Sequence, residues 1–241
     1  MVGSALKSII DKIKGFLDGK NNSMLPYVVT LFLTFSVVVL GINLFIELTA
    51  KVKNEMLGEF DSKVTELLLS FRNPSLTKYF IFVTDVGDVK GYLVLLVVTL
   101  GLTIFIIKKW KYIAQIFTVL VLATLSNMML KRFIDRARPE IEHLVSVKTL
   151  SYPSGHAMSS MAFYGFLIYL VYKLKIKSLW KVFLILLLTL LIISIGVSRI
   201  YLGVHFPSDV AGGWIAGIIW VFFCIFTFNL IEVFRNDPKT G

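Results

Sequence analysis

The chain has 241 residues, 56% of them hydrophobic, and a mean hydropathy of +0.80. That excess lies in long runs rather than at scattered positions, which excludes an ordinary water-soluble domain and points to a polytopic membrane protein. The net charge of +10 would suggest nucleic acid in a soluble chain; here the basic residues sit mostly between apolar runs, where they set orientation and meet anionic headgroups, so no nucleic-acid partner is expected.

Residues 1–26 form a first region. Leu6, Ile9, Ile10, Ile13, Phe16 and Leu17 recur at helical spacing opposite Lys7, Asp11, Lys12, Lys14 and Asp18, which predicts an amphipathic helix over 5–17 lying on a membrane surface. Six apolar runs follow within 27–232: Tyr27–Ile46, Tyr92–Ile107, Tyr112–Leu130, Ala157–Tyr172, Val182–Val197 and Val210–Leu230. A helix rises about 1.5 Å per residue and a bilayer core is about 30 Å thick. The first, third and sixth runs are therefore long enough alone, while the second, fourth and fifth draw on flanking residues. The first run is too long for the apolar stretch of a signal peptide and no small-x-small cleavage site follows it, so it reads as a retained span. Tyr27, Tyr92, Trp110, Tyr112, Tyr172 and Trp180 mark run ends as an interfacial belt.

The connector 49–91 is the longest. Within Glu59–Asp88, the pattern of Val64, Leu67, Leu68, Phe71, Pro74, Leu76, Tyr79, Phe80 and Phe82 predicts one or two short amphipathic helices near the outer interface. Gly213 and Gly217 make a small-x-x-x-small face suited to close packing inside the bundle. Cys224, the one cysteine, permits no intrachain disulfide. With the N-terminus inside, 13 of the 25 lysines and arginines fall on the inner side, and two very short, almost purely basic loops (Lys108, Lys109, Lys111; Lys173, Lys175, Lys177, Lys181) decide the orientation. The expected fold is all-α: an integral membrane bundle of six transmembrane helices with an N-terminal amphipathic helix, cytoplasmic termini and a cytoplasmic tail at 233–241. The compact size suggests the inner membrane of a bacterium.

Polar groups near a membrane are expensive, so their placement informs. Three clusters stand out: Lys131 to Arg138-Pro139; Pro153-Ser154-Gly155-His156; and Ser198-Arg199 through His205 to Asp209. Six alternating spans put all three on one side, the outer one. Lys131, Arg138 and Arg199 supply three fixed cations suited to phosphate oxygens. Ser154 and Gly155 stand where a helix begins, with free N–H groups and a favourable dipole for an anion, and Gly155 lets a phosphate approach the backbone. A neutral His205 is a competent nucleophile toward phosphorus, and Asp209, four residues on, orients it if a helical turn forms there. His156, on another element, serves as general acid and then as base toward water.

The pattern Lys-x6-Arg-Pro, Pro-Ser-Gly-His and Ser-Arg-x5-His-x3-Asp resembles the three-part signature of the type 2 phosphatidic acid phosphatase family, whose superfamily also holds bacterial acid phosphatases and vanadium haloperoxidases. The match covers residues 131–209 without departure from the motif. The resemblance implies that Lys131, Arg138, Ser154, Gly155 and Arg199 bind phosphate, that His156 is the general acid, and that His205, paired with Asp209, forms a phosphohistidine. It also implies a lipid phosphate or diphosphate substrate, of the phosphatidic acid, phosphatidylglycerophosphate or undecaprenyl diphosphate class. Neither a metal nor a cofactor is expected. Arg132 and Arg136 fall in the variable part of the first element and receive no catalytic role. His143, beside Glu140 and Glu142, reads as a solvated loop rather than a metal site. Three other functions stay open at this point: a phosphotransferase using the same site, a non-catalytic lipid-phosphate binder or transporter, and, least compatible with a membrane bundle, a vanadate-dependent peroxidase.

Overall fold

The structure, a computed structural model, describes residues 25–102, 111–147 and 149–235. The helix expected over 5–17, Lys108 and Lys109, and the tail after Arg235 lie outside the described residues. Within them the chain is all-helical: α1 (Leu25–Lys53), α2 (Gly58–Ser70), α3 (Pro74–Val86), α4 (Val89–Leu102), α5 (Lys111–Ile134), α6 (Gly155–Lys173), α7 (Ser178–Tyr201) and α8 (Pro207–Arg235).

Four of these, in α1, α5, α7 and α8, are long and apolar enough to cross a membrane. Their outer faces remain apolar: Phe32, Leu33 and Leu40 on α1 and Leu179, Leu186 and Leu190 on α7 are all exposed. A soluble protein seldom shows so continuous an apolar surface, whereas hydrocarbon is the matching solvent for it.

Helix α6 is built differently. It carries Ser159, Ser160 and several aromatics and small residues, and much of it is buried: Ala157, Met158, Ser160, Ala162, Phe163, Tyr164, Phe166 and Leu170. Its chief neighbours are α8, α7 and α5, so it faces protein rather than lipid and needs less apolar character. Close approach to α8 depends on the small-residue face expected there. A Cβ on Gly213 would lie 2.6 Å from the Ser154 carbonyl oxygen, and one on Gly217 2.6 Å from Met161 Cβ. The pair is thus used inside the bundle.

Two connector helices are present, α2 and α3. Asn73 caps α3 by accepting from the Leu76 N–H at 2.9 Å, with Pro74 at the first helical position. The same corner is tied to the end of α7: Arg72 Nε and Nη2 donate to the Tyr201 carbonyl at 3.2 and 3.1 Å, and the Asn73 N–H donates to Tyr201 Oη at 3.1 Å.

Helix ends differ from the apolar runs for identifiable reasons. The run ending at Ile46 continues as helix to Lys53, because Glu47 and Lys51 pair at 2.7 Å along one face and keep the polar turns helical. Helix α8 starts at Pro207, three residues before the expected Val210, since proline suits a first turn. His205 consequently stands in the turn before α8 rather than on a shared helical turn with Asp209.

Candidate active site

The end of α5, the start of α6, the end of α7 and the start of α8 meet at one end of the bundle. Lys131 comes from α5's last turn, Ser154 from the N-cap of α6, Arg199 from α7's last turn and Asp209 from α8's first turn. Backbone bonds hold them in register: the Ser154 N–H donates to the Asp209 carbonyl at 3.0 Å, and the Val204 and His205 N–H groups both donate to the Arg199 carbonyl at 3.1 Å. The tight turn carrying His205 passes through Gly203, whose φ is +80°. A Cβ there would also sit 2.5 Å from the Glu142 carbonyl, so only glycine fits without strain.

All three expected cations converge. Lys131 lies within electrostatic reach of Arg138, Arg199 and Asp209, and His156 within reach of Arg199, His205, Lys131 and Arg138. Arg138 is splayed across the site: Nε donates to the Thr149 carbonyl at 2.6 Å, and Nη1 donates to the Val204 carbonyl at 2.5 Å and faces His205 Nε2 at 3.2 Å. Lys131 Nζ donates to the Leu150 carbonyl and to Thr149 Oγ1. Arg199 Nη1 donates to Thr84 Oγ1 at 2.5 Å.

Two buried polar atoms in this cluster have no partner, Arg199 Nε and Ser154 Oγ. Ser154 holds the N-cap position of α6 but makes no capping bond with its side chain. Buried polar groups are ordinarily satisfied, and donors left over among fixed cations at a helix N-terminus are the complement of an oxyanion. Gly155 has a second reason to be glycine that the sequence did not reveal. A Cβ would lie 3.0 Å from Asn127 Oδ1, while Asn127 Nδ2 donates to the Pro153 carbonyl at 3.1 Å and pins the loop before α6.

His205 is almost fully buried, and its Nδ1 lies 3.4 Å from Asp209 Oδ2. Arg138, a permanent donor, faces Nε2; that assigns the lone pair to Nε2 and the proton to Nδ1, on the Asp209 side. Burial, opposed by Asp209 and reinforced by the Arg138 and Arg199 cations, brings the imidazole down to about 3. His205 is therefore neutral near neutral pH, with its Nε2 lone pair available.

The arrangement around Asp209 was only partly legible. Its Oδ2 accepts from Ser151 Oγ at 2.5 Å and the Phe206 N–H at 2.8 Å. Its Oδ1 accepts from Arg136 Nη1 at 2.7 Å. Arg136, given no role from sequence, thus touches the acid of the His–Asp pair. Ser151 had no motif to announce it. His143 Nε2 lies 3.0 Å from the Pro139 carbonyl, and among the described residues no three His, Cys, Asp or Glu side chains gather as metal ligands.

An apolar cavity of about 420 Å³ reaches this site from the side, bounded by Tyr92, Leu96, Leu120 and Met128 and ending at His156 and Gly155.

Three comparisons bear on the assignment. The sequence pattern of the PAP2 superfamily matches residues 92–231. Phosphatidylglycerophosphatase B of Bacillus subtilis (strain 168) is 31% identical over 197 residues, 80% of this chain and 95% of the relative. The crystal structure described as the first transmembrane PAP2 type phosphatidylglycerolphosphate phosphatase, from Bacillus subtilis, superposes with a TM-score of 0.75 at 28% identity, covering 82% of this chain and 98% of that one. The crystal structure of Aquifex aeolicus LpxE gives 0.56 at 26% identity over 68% and 93% of the two chains.

Apolar bundle, phosphate-complementary site and relatives together define the class, a membrane lipid phosphatase. The chain belongs to the PAP2 superfamily.

Proposed function

We propose that the protein hydrolyses the phosphomonoester or diphosphate of a membrane lipid through a phosphohistidine, without a metal ion, and that phosphatidylglycerophosphate is its first candidate substrate. The observation carrying this is the pair of unpartnered donors, Arg199 Nε and Ser154 Oγ, set among the Lys131, Arg138 and Arg199 cations beside a neutral His205. The apolar cavity ending at His156 suits an acyl chain whose headgroup enters the cation cluster, and the relatives named above favour the glycerophosphate headgroup.

In this reading His205 Nε2 gives its lone pair to phosphorus, and the bond from phosphorus to the lipid oxygen breaks. His156, as imidazolium, hands its proton to that leaving oxygen. Lys131, Arg138, Arg199, Ser154 Oγ and the N–H groups opening α6 hold the equatorial oxygens as charge develops. Neutral His156 then takes a proton from water as the water oxygen bonds to phosphorus, the P–N bond returns its electrons to Nε2, and inorganic phosphate leaves. Asp209 keeps the Nδ1 proton facing it throughout.

The same reading keeps a six-span domain over 27–232, with α4 and α6 as the further two spans, an amphipathic segment at 1–26, a connector at 49–91 and a tail at 233–241. The termini are cytoplasmic and the site faces the exterior of a bacterial inner membrane; the basic loops at 108–111 and 173–181 support that orientation.

Purified protein assayed for phosphate release against phosphatidylglycerophosphate, phosphatidic acid and undecaprenyl diphosphate tests the proposal. The glycerophosphate lipid is expected to turn over fastest and His205→Ala to abolish release. Full activity in His205→Ala would overturn it.

A further inference from the structure

We propose that Arg136 and Asp61 form a positioning pair for the nucleophile, so that connector helix α2 belongs to the catalytic machinery. The inference rests on the phosphatase reading above. Asp209 is fully buried, and its Oδ2 already accepts two bonds, from Ser151 Oγ and the Phe206 N–H, while His205 Nδ1 stands farther away at 3.4 Å. The plane of the carboxylate is set from its other oxygen, where Arg136 Nη1 donates to Oδ1 at 2.7 Å. The same nitrogen donates to Ser208 Oγ at 2.7 Å.

Arg136 is itself immobilised. Its Nη2 donates to Asp61 Oδ2 at 2.8 Å, and its guanidinium lies over the Phe206 ring, 4.2 Å from the centroid. Asp61, only 1% exposed, reaches from α2 and also receives the Ser208 N–H at 2.9 Å and Ser208 Oγ at 2.6 Å. Asp61 therefore caps the N-terminus of α8 from another element, and one guanidinium joins that cap to the acid of the His–Asp pair. Arg136 differs in kind from Lys131, Arg138 and Arg199. Its guanidinium hydrogen bonds run to two carboxylates and a serine, so it acts through Asp209 rather than on phosphate.

Steady-state kinetics of Arg136→Lys and Asp61→Asn on p-nitrophenyl phosphate and on phosphatidic acid micelles, with inorganic phosphate as competitive inhibitor, test this. Each variant is expected to lower kcat by about 10- to 100-fold, as outer partners of catalytic groups do. KM and the phosphate inhibition constant should stay within about twofold of wild type, and the double variant should lose little more than the worse single one. A folded variant of either kind with wild-type kcat overturns the proposal, as does a kcat loss matched by an equal rise in the phosphate inhibition constant. Failure of both variants to purify as monodisperse protein assigns the pair to folding alone and overturns it too. An inactive wild type on both substrates would instead sink the phosphatase reading and this one with it.

Discussion

Arg138 Nη1 stands 3.2 Å from His205 Nε2, so one of the clustered cations also caps the lone pair of that imidazole. Under the proposed mechanism, an arriving phosphate takes over that donor and meets the freed lone pair in the same movement. The guanidinium is anchored to the Thr149 carbonyl through Nε and to the Val204 carbonyl through the same Nη1, which fixes its plane.

Arg138→Lys is expected to lower kcat/KM by about 10²- to 10³-fold, because an ammonium cannot span both carbonyls and phosphate at once. Steady-state assays with a lipid phosphate read this directly. A variant within threefold of wild type would show that the planar fork is not used.

The pH dependence follows from His205. Its value of about 3 lies below the ordinary histidine range, so the neutral, reactive form is present above that value and lost as pH falls through it. The acidic limb of kcat/KM belonging to the nucleophile should fall below about pH 4. Removing the Arg138 charge should move it upward, since that cation opposes protonation. A wild-type limb between pH 6 and 7, or a limb that does not move in Arg138→Gln, would contradict this.

In the proposed mechanism side chains supply the positive charge, so EDTA is expected to leave phosphate release unchanged. Vanadate, which mimics the five-coordinate phosphoryl group, is expected to inhibit in competition with substrate. Activity lost to chelator and restored by a divalent metal would overturn the charge assignment.

Gly203→Ala places a Cβ 2.5 Å from the Glu142 carbonyl at a φ of +80°. It should destabilise the fold by more than about 1 kcal/mol and loosen the turn carrying His205. A lowered melting temperature in detergent, with kcat reduced in the surviving protein, would show both effects; an unchanged melting temperature would count against the strain.

The apolar runs announced the helices because hydrocarbon demands them, and the clustered charges announced the site because charge near a membrane needs a use. Lys131, Arg138, Ser154, Gly155, His156, Arg199, His205 and Asp209 come together as the motif spacing suggested. Ser151, Asp61 and Arg136 were hidden for a common reason. Each acts across long sequence separations, and a serine in a loop or an aspartate on an amphipathic helix has a solvated alternative that looks identical in one dimension. Asn127 was concealed inside an apolar run whose period said only helix. Helix α1 outlasts the apolar run that ends at Ile46 because Glu47 and Lys51 pair along one face and carry the helix onward.

The hydrogen bond from the Ser154 N–H to the Asp209 carbonyl welds the start of α6 to the start of α8. His156 and His205 therefore stand at one tied corner, while the apolar wall of the cavity is drawn from α4 and from the turns of α5 that precede Lys131. Under the proposed function, headgroup chemistry and chain preference become separable quantities. On that reading, selection could reshape the cavity wall, one side chain at a time, and trade one lipid for another while the polar corner stays as it is.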